Sequence, residues 1–550
     1  MLNTQMTMFQ AFDEVATSRP RHLALVCGEE RLTYGALKER VLAAACSLAA
    51  RGIGKGDRVA ALLLPGVPFV VLFFALARLG GVIVPLNPQS RPRLLRHILG
   101  DCQPRLLVAE REALPRDSLE FLEGPEAAGF LPDGILWTGP DVEALWARPG
   151  EPPQVDVAPT DLLCILYTSG TTGMPKGTLH THRSLIAPVV ASLRLRQAWL
   201  HRPSPKTIPR MAKALARYGE RLLRAAGRPQ VFLTSIGPFA IAGLEVMLQA
   251  LLMGDALVWQ RRFDPRETLQ AIQDEKVTVF VAVPTALAVL LRVEDLDRYD
   301  VSSLLICGTG SAPCPPELAR QVRERFGCAM HIGFGTTELA GGIAATELDD
   351  PDEAQVETVG RPMPGIEVRI VDDEGRPLPP GQVGELVCRS EGLMAGYLNA
   401  PDQTAQVVDA EGWYHTGDLA TMDERGYIRI VGRKKDLILR AGQNVYPAEI
   451  EAYLATHPAI REAAVVGVPG ELGREEVWAF VIREPGANLT EREVIAYCRE
   501  ALEAYKIPDQ VRFVEDFPRS ALGKPQKFVL QEQALREKGT VQKGTSAPGT

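Results

Sequence analysis

Between residues 165 and 182 the chain reads ILYTSGTTGMPKGTLHTH. Thr168, Ser169, Thr171 and Thr172 offer hydroxyl donors. Gly170 and Gly173 let backbone amides approach an anion, and Lys176 adds a positive charge. That is the chemistry of a phosphate cradle. It is not a Walker loop, because that motif places a Ser or Thr directly after its lysine to bind magnesium, and here Gly177 follows Lys176. A nucleoside triphosphatase, a kinase and an adenylating enzyme would each use such a loop.

Three further stretches carry chemistry. In GFGTTE, residues 333–338, Phe334 can stack on a base, Thr337 can bind a phosphate, and Glu338 is the hard oxygen ligand that magnesium prefers. Taken alone, this hexapeptide is also compatible with an ordinary turn. In YHTGD, residues 414–418, and GRKKD, residues 432–436, an Asp at a turn can accept two ribose hydroxyls and an Arg can donate to them. Near the C-terminus, PRSALGKPQK holds Lys524, which by itself reads as a solvated charge.

The elements that must position these residues are legible as texture. Short apolar runs alternate with helical patterns, as in DRVAALLL before PFVVLFFALARLG and VTVFVAV before PTALAVLLRV. That alternation predicts α/β architecture with largely parallel, buried strands. From 366 to 432, IEVRIVDDEGRPL, GELVCRS and GYIRIVGR alternate in period two with DEG and ERG turns between them, which predicts an antiparallel, barrel-like region. A small α/β pattern returns after Gly432, and the stretch from 538 to 550 reads as disordered.

Bulk properties exclude several classes. The 550 residues call for two or more domains. A formal net charge of -8 argues against general nucleic-acid binding. The nine cysteines form no CxxC pair, so they read as reduced thiols of a cytoplasmic protein. The N-terminus lacks a signal-peptide pattern. The apolar run 59–77 is cut by Pro65, Gly66 and Pro68, so it reads as a buried strand and a core helix rather than a membrane span.

One segment stands apart. Of residues 194–228, ten are Lys or Arg and only Glu220 is acidic. Arg210, Lys213, Arg217, Arg221, Arg224 and Arg228 form one helical stripe, and Met211, Leu215, Tyr218 and Leu222 a neighbouring apolar one. Two readings stay open: a surface helix packed on its own domain, or docking on an anionic membrane or acidic partner.

Taken together and in order, the four motifs resemble the acyl-adenylate-forming superfamily of acyl-CoA synthetases, adenylation domains and beetle luciferases. The likeness runs from LTYGAL at 32 to GKPQK at 527, and GQNVYPAEIE and GYLNAPDQT look most like the fatty-acid and 4-coumarate CoA ligase branch. The resemblance implies a large N-terminal domain holding acid and ATP over 1–431, a hinge at 432–437, and a small mobile α+β domain over 438–537. It implies that the 168–176 loop grips the β- and γ-phosphates. Adenine would lie between Ser311 and Ala312 on one side and Gly333 and Phe334 on the other. Thr337 would meet the α-phosphate and Glu338 the magnesium ion. Asp418 and Arg433 would hold the ribose, Lys524 would be the catalytic lysine of the first half-reaction, and Lys435 would be the hinge residue. Ala441 and Gly442 would meet CoA. The acid would lie among Phe239, Ala240, Ala242, Thr309 and Gly310.

Two departures from the family's pattern bear on the acid. GPFAIAG, residues 237–243, replaces the customary His and nearby aromatic with Ala240 and Ala242, which suggests a roomier pocket for a bulky, ring-containing or longer acid. The alternative is that the basic insertion refills the space. Pro525 follows Lys524 where a β-branched residue is usual, and only local stiffening is expected of it. The activity so implied is a carboxylic acid:CoA ligase, working as a monomer or homodimer. Its rivals are an acyl-AMP ligase that loads a carrier-protein thiol, and a catalytically silent protein recruited to membranes by the basic helix. A luciferase-type oxygenase reaction is implied only as a side activity.

Overall fold

The computed structural model describes residues 2–146, 150–168, 174–200, 207–225, 227–440, 443–470, 475–519 and 523–544. The chain forms two compact units. The larger comprises Met1–Val368 and Cys388–Tyr414, and the smaller Arg369–Val387 and His415–Thr550.

The larger unit is built on two sheets. A nine-stranded sheet runs in the order Arg361–Pro362, Gly341–Ala345, Ala329–Thr336, Ile306–Thr309, Val279–Val281, Val231–Thr234, Ala256–Trp259, Leu23–Cys27, Glu30–Thr33. Its six strands from Ala329–Thr336 to Leu23–Cys27 are parallel. The seven-stranded sheet places Leu162–Thr168 beside Val82–Pro85, Arg58–Leu62, Leu106–Ala109 and Ile135–Trp137, all parallel, with Lys176–Thr181 antiparallel on the other side. One apolar core takes in Leu25 and Trp259 of the first sheet, Val59 and Leu163 of the second, and the helices Val67–Leu79 and Ile241–Met253. Buried on both faces, these strands are continuous apolar runs. The run 59–77 resolves as expected into the strand Arg58–Leu62 and the helix Val67–Leu79. Phe69, Phe73 and Phe74 on that helix are fully buried, each contributing about 1.5–3 kcal/mol of apolar transfer. No helix among the described residues is long and apolar enough to cross a membrane.

The smaller unit contains most of a four-stranded sheet, in the order Glu367–Val371, Gly384–Arg389, Tyr414–Met422, Ile428–Arg433. This is the stretch expected to be barrel-like. Its strands lie in a linear row, and most of their residues group with the C-terminal part of the chain. The expected hinge at 432–437 lies inside this unit. Beyond it, Ile460–Pro469 pairs antiparallel with Glu475–Arg483, which pairs parallel with Gln510–Phe513. Val477, Ala479 and Val481 face one apolar core and Trp478, Phe480 and Ile482 another, as a strand buried on both faces requires. The helix Lys527–Gly544 runs into the stretch expected as a tail. Within it Lys538 donates to the carbonyl of Pro469 at 2.7 Å and to Glu476 at 2.8 Å. Residues 545–550 lie outside the described residues.

The described residues of the basic insertion belong to the helix His182–Leu200 and to the helical segment Thr207–Ala225, which is broken at Gly219 (φ 39°, ψ -115°), so the expected single stripe is divided there. Residues 201–206 and 226 lie outside the described residues. Several of its described cations are met by its own unit. Arg210 donates to Asp349 at 2.5 and 2.8 Å and to Glu347 at 2.6 Å. Lys213 reaches the carbonyl of Asp349 at 2.8 Å, Arg217 pairs with Asp352, and Arg221 donates to the carbonyls of Leu304 and Phe326 at 2.7 and 2.6 Å. Tyr218 is buried beneath, whereas Met211 and Leu215 stay exposed. Of the two readings, the charged stripe matches packing on its own domain, against the acidic segment ELDDPD at 347–352.

Candidate active site

The expected base-binding residues come together at the C-terminal ends of neighbouring parallel strands, the usual place for a ligand in an open α/β sheet. Ile306–Thr309 and Ala329–Thr336 pair with Thr309 opposite Ile332, so Gly310, Ser311 and Ala312 leave one strand beside Gly333 and Phe334 on the next. The approach is close: a Cβ on Gly310 would sit 2.9 Å from the carbonyl oxygen of Gly333. Ser311 adopts φ 65°, a left-handed turn that redirects the chain after the strand.

The GFGTTE stretch turns sharply. Gly335 lies opposite Gly342 in an antiparallel pair, and the Thr336 hydroxyl accepts from the Leu339 amide at 3.3 Å, capping the 3₁₀ turn Thr337–Leu339. A Cβ on Gly335 would fall 2.2 Å from the carbonyl oxygen of Gly341. Gly335→Ala is therefore expected to cost about 1–3 kcal/mol in unfolding free energy through overpacking. Because the turn bearing Thr337 and Glu338 would shift with it, nucleotide-dependent activity should fall as well. Denaturant unfolding and activity measured on the same preparation check this.

Glu338 is held by groups that the motif reading missed. The Tyr397 hydroxyl donates to Glu338 Oε1 at 2.8 Å. Burial first, and the Glu338 charge second, push the phenols of Tyr397 and Tyr414 well above their ordinary value, so both stay protonated. The Lys176 amine lies over the Tyr397 ring, 5.1 Å from its centroid. One phenol thus touches both the cation of the loop and the carboxylate of the turn. Its sequence signal was present in GYLNAPDQT. Thr168 and Lys176 face each other across the hairpin Leu162–Thr168/Lys176–Thr181. Ser169, Gly170, Thr171, Thr172 and Gly173 lie outside the described residues, as do Ala441 and Gly442.

In the smaller unit, Asp418 and Arg433 are direct partners across an antiparallel pair, with Nε 3.1 Å from Oδ1. Burial raises the Asp418 carboxyl, and Arg433 partly offsets the rise. Lys524 belongs to the same group of charges. Burial chiefly, then Arg433, pulls its amine down to about 8, while Asp418 opposes the shift. The Lys524 loop is braced by Arg519, a residue the sequence reading did not single out. Arg519 donates to the Gly523 carbonyl at 3.0 Å, bonds to Glu462 at 2.6 and 3.1 Å, and pairs as a β-bridge with Pro525. Lys435 sits exposed in the turn Lys434–Asp436, where Lys434 bonds to Asp373 at 2.8 Å.

The expected acid-binding residues gather on the first unit's nine-stranded sheet. Val231–Thr234 leads into GPFAIAG and the helix Ile241–Met253, one strand removed from Ile306–Thr309. A Cβ on Gly243 would lie 2.3 Å from the Gly237 carbonyl oxygen, so this turn leaves room only for glycine there, and one on Gly237 would lie 2.2 Å from the Phe239 ring, which would have to move. Ala240 is buried and Ala242 half-buried. The Thr309 hydroxyl is buried and has no hydrogen-bond partner among the described residues.

Residues 12–398 match the AMP-binding enzyme family, and residues 449–524 match the AMP-binding enzyme C-terminal domain. The chain is 32% identical to the 3-[(3aS,4S,7aS)-7a-methyl-1,5-dioxo-octahydro-1H-inden-4-yl]propanoyl:CoA ligase of Rhodococcus jostii, over 93% of this chain and 95% of that protein. It is 33% identical to the fatty acid–[acyl-carrier-protein] ligase ScoC of Streptomyces coeruleorubidus, over 96% of each. Among solved structures, the anthranilate CoA ligase AuaEII in complex with anthranoyl-AMP superposes with a TM-score of 0.83 at 26% identity, covering 98% of this chain and 99% of that one. The chain belongs to the AMP-binding enzyme family, within the acyl-adenylate-forming superfamily of AMP-forming acid–thiol ligases.

Proposed function

We propose that this protein is an ATP-dependent carboxylic acid:CoA ligase acting on a ring-containing or longer-chain acid. The observation that carries the reading is the contact of Tyr397 with both Glu338 and Lys176, which couples a metal-type carboxylate to a phosphate-type cation. Support for a bulky acid comes from the small side chains of Ala240 and Ala242, and from the fused-ring and aromatic acids named for two relatives.

A carboxylate is a poor electrophile because its leaving group would be oxide. In the first step a carboxylate oxygen bonds to the α-phosphorus of ATP, and the bond from that phosphorus to the oxygen bridging the β-phosphate breaks, releasing pyrophosphate. In the second step the CoA sulfur bonds to the acyl carbon as its bond to the AMP oxygen breaks. Two anions must meet in the first step, so charge neutralisation is the main catalytic task. Lys524 supplies the positive charge that the meeting of carboxylate and α-phosphate requires, Thr337 bonds to the α-phosphate, and Thr168 and Lys176 serve the β- and γ-phosphates that leave. Asp418 and Arg433 hold the ribose, and adenine lies between the Ser311–Ala312 and Gly333–Phe334 strips. The Glu338 carboxylate, fixed by a neutral phenol donor rather than a cation, suits magnesium, which takes one or two protein carboxylates and completes its shell with phosphates and water. When bound there, magnesium supplies screening of the triphosphate charge. No step requires a side-chain nucleophile. Lys435 is the pivot within 432–437, and CoA binding in the second step is assigned to Ala441 and Gly442.

An AMP-release screen over aliphatic, alicyclic and aromatic acids, with ATP, magnesium and CoA, tests the reading. Acid-dependent AMP and acyl-CoA are the expected products. Absence of acid-dependent pyrophosphate would reject it. The carrier-protein relative favours a second reading, an acyl-AMP ligase for a carrier thiol. Acyl-CoA formed with CoA as the only thiol excludes that alternative. Tyr397→Phe keeps the ring beneath Lys176 but removes the donor to Glu338. The magnesium concentration for half-maximal activity is then expected to rise about tenfold, the usual effect of losing a partner of a metal ligand. An unchanged magnesium dependence would detach Tyr397 from that role.

A further inference from the structure

The helix that carries Ala242 also carries one charge inside an otherwise apolar run, Glu245 in IAGLEVMLQALLM. Three residues after Ala242, it lies on the same helical face. Its carboxylate is pressed against the strand that lies opposite the GFGTTE turn. Oε1 accepts from the Gly342 amide at 3.3 Å and from Gln249 Nε2 at 3.1 Å. A Cβ on Gly341 would stand 2.5 Å from Oε2, so that oxygen lies where only glycine leaves room for it. Gly341 and Gly342 pair with Thr336 and Gly335, directly before Thr337. Glu245 therefore bridges the wall formed by Phe239, Ala240 and Ala242 to the turn where the α-phosphate is expected.

Among the described residues no lysine, arginine or histidine pairs with Glu245. Its stabilising partners are two neutral donors, both on Oε1, and burial pushes its carboxyl up to about 7. A carboxylate so placed is costly to keep unless something donates to it. The Thr309 hydroxyl, at the end of a strand in the same sheet and among the residues expected to bind the acid, is buried with no hydrogen-bond partner among the described residues and is a second polar group there.

We propose that Glu245 is a specificity-determining residue of the acid site, selecting carboxylic acids that carry a hydrogen-bond donor, a hydroxyl or an amino group, away from the carboxylate being activated. This rests on the acid:CoA ligase reading above. A site built to bond a donor rejects the analogue that lacks it, because its own buried acceptor is then left unsatisfied.

The test uses matched acids: octanoate with 8-hydroxyoctanoate, and 3-phenylpropanoate with its para-hydroxyl and para-amino derivatives. Acid-dependent pyrophosphate release gives kcat/KM for each. In the wild type the donor-bearing acids are expected to exceed their parents by about tenfold or more. Glu245→Gln keeps an oxygen for the Gly342 amide but replaces the second acceptor with a donor, and the preference should shrink to within about twofold. No preference in the wild type overturns the proposal without any variant being needed, and so does a preference that survives in Glu245→Gln. Turnover of all the acids without discrimination leaves the ligase reading standing while this proposal falls. Absence of pyrophosphate release with every acid, including those of the broader screen, overturns both.

Discussion

Lys524→Ala should lower acid-dependent ATP–pyrophosphate exchange by about 10²–10³-fold, the scale seen when one preorganised charge or donor is removed from a transition state. The lysine is half-buried, shares its surroundings with Arg433 and Asp418, and has its amine pulled down to about 8, mainly by burial. The sign of the pH dependence follows. The charged amine is the working form, so below about pH 8 the residue is largely competent, and as pH rises through about 8 it loses its proton and exchange declines. The alkaline limb should appear in kcat/KM, which reports the free enzyme. In Lys524→Ala the residual rate should be flat across that window. Exchange retained at the wild-type level would remove Lys524 from the mechanism. Arg519→Ala offers a milder comparison, since it frees the Gly523 carbonyl but leaves the amine in place.

Lys435→Pro should separate the two half-reactions. Proline locks φ near −65° and removes an N–H, so a backbone that must rotate at this residue cannot do so. The position suits a pivot: an exposed residue in a single 3₁₀ turn between the strand Ile428–Arg433 and the hairpin strand Ile438–Arg440. Pyrophosphate exchange is expected to stay within about threefold of wild type, while transfer from preformed acyl-adenylate to CoA falls on the order of 10²-fold, as loss of a gating motion implies. Single-turnover measurement with isolated acyl-adenylate distinguishes the steps. Equal loss in both would show that residue 435 supports the fold rather than the motion.

Much of the candidate nucleotide site was legible because its chemistry is local. Thr168 and Lys176 are joined by one short loop, Thr337 and Glu338 are adjacent, and each motif carries its own turn signal, so composition and spacing suffice. The parallel strands were legible for a similar reason, since burial on both faces leaves continuous apolar runs. Glu245 had a signal, a lone charge in an apolar helix, but helical periodicity alone does not say what the charge faces.

The sequence by itself determined the family, the α/β architecture, and the identities of Thr168, Lys176, Glu338, Asp418, Arg433 and Lys524 as candidate chemistry. Tertiary structure alone decided what those residues touch. Tyr397 donates to a carboxylate 59 positions away. The basic helix finds its counter-charges in the 347–352 segment, with Arg210 and Asp349 separated by 139 positions, and the amphipathic pattern was equally compatible with a membrane. Most of the period-two sheet groups with the C-terminal unit because a strand's alternation records that one face is buried, not which core buries it. Pattern is a local property of the chain. Pairing of distant charges, phenols and sheet faces depends on how loops close in space, and no single window of sequence contains that information.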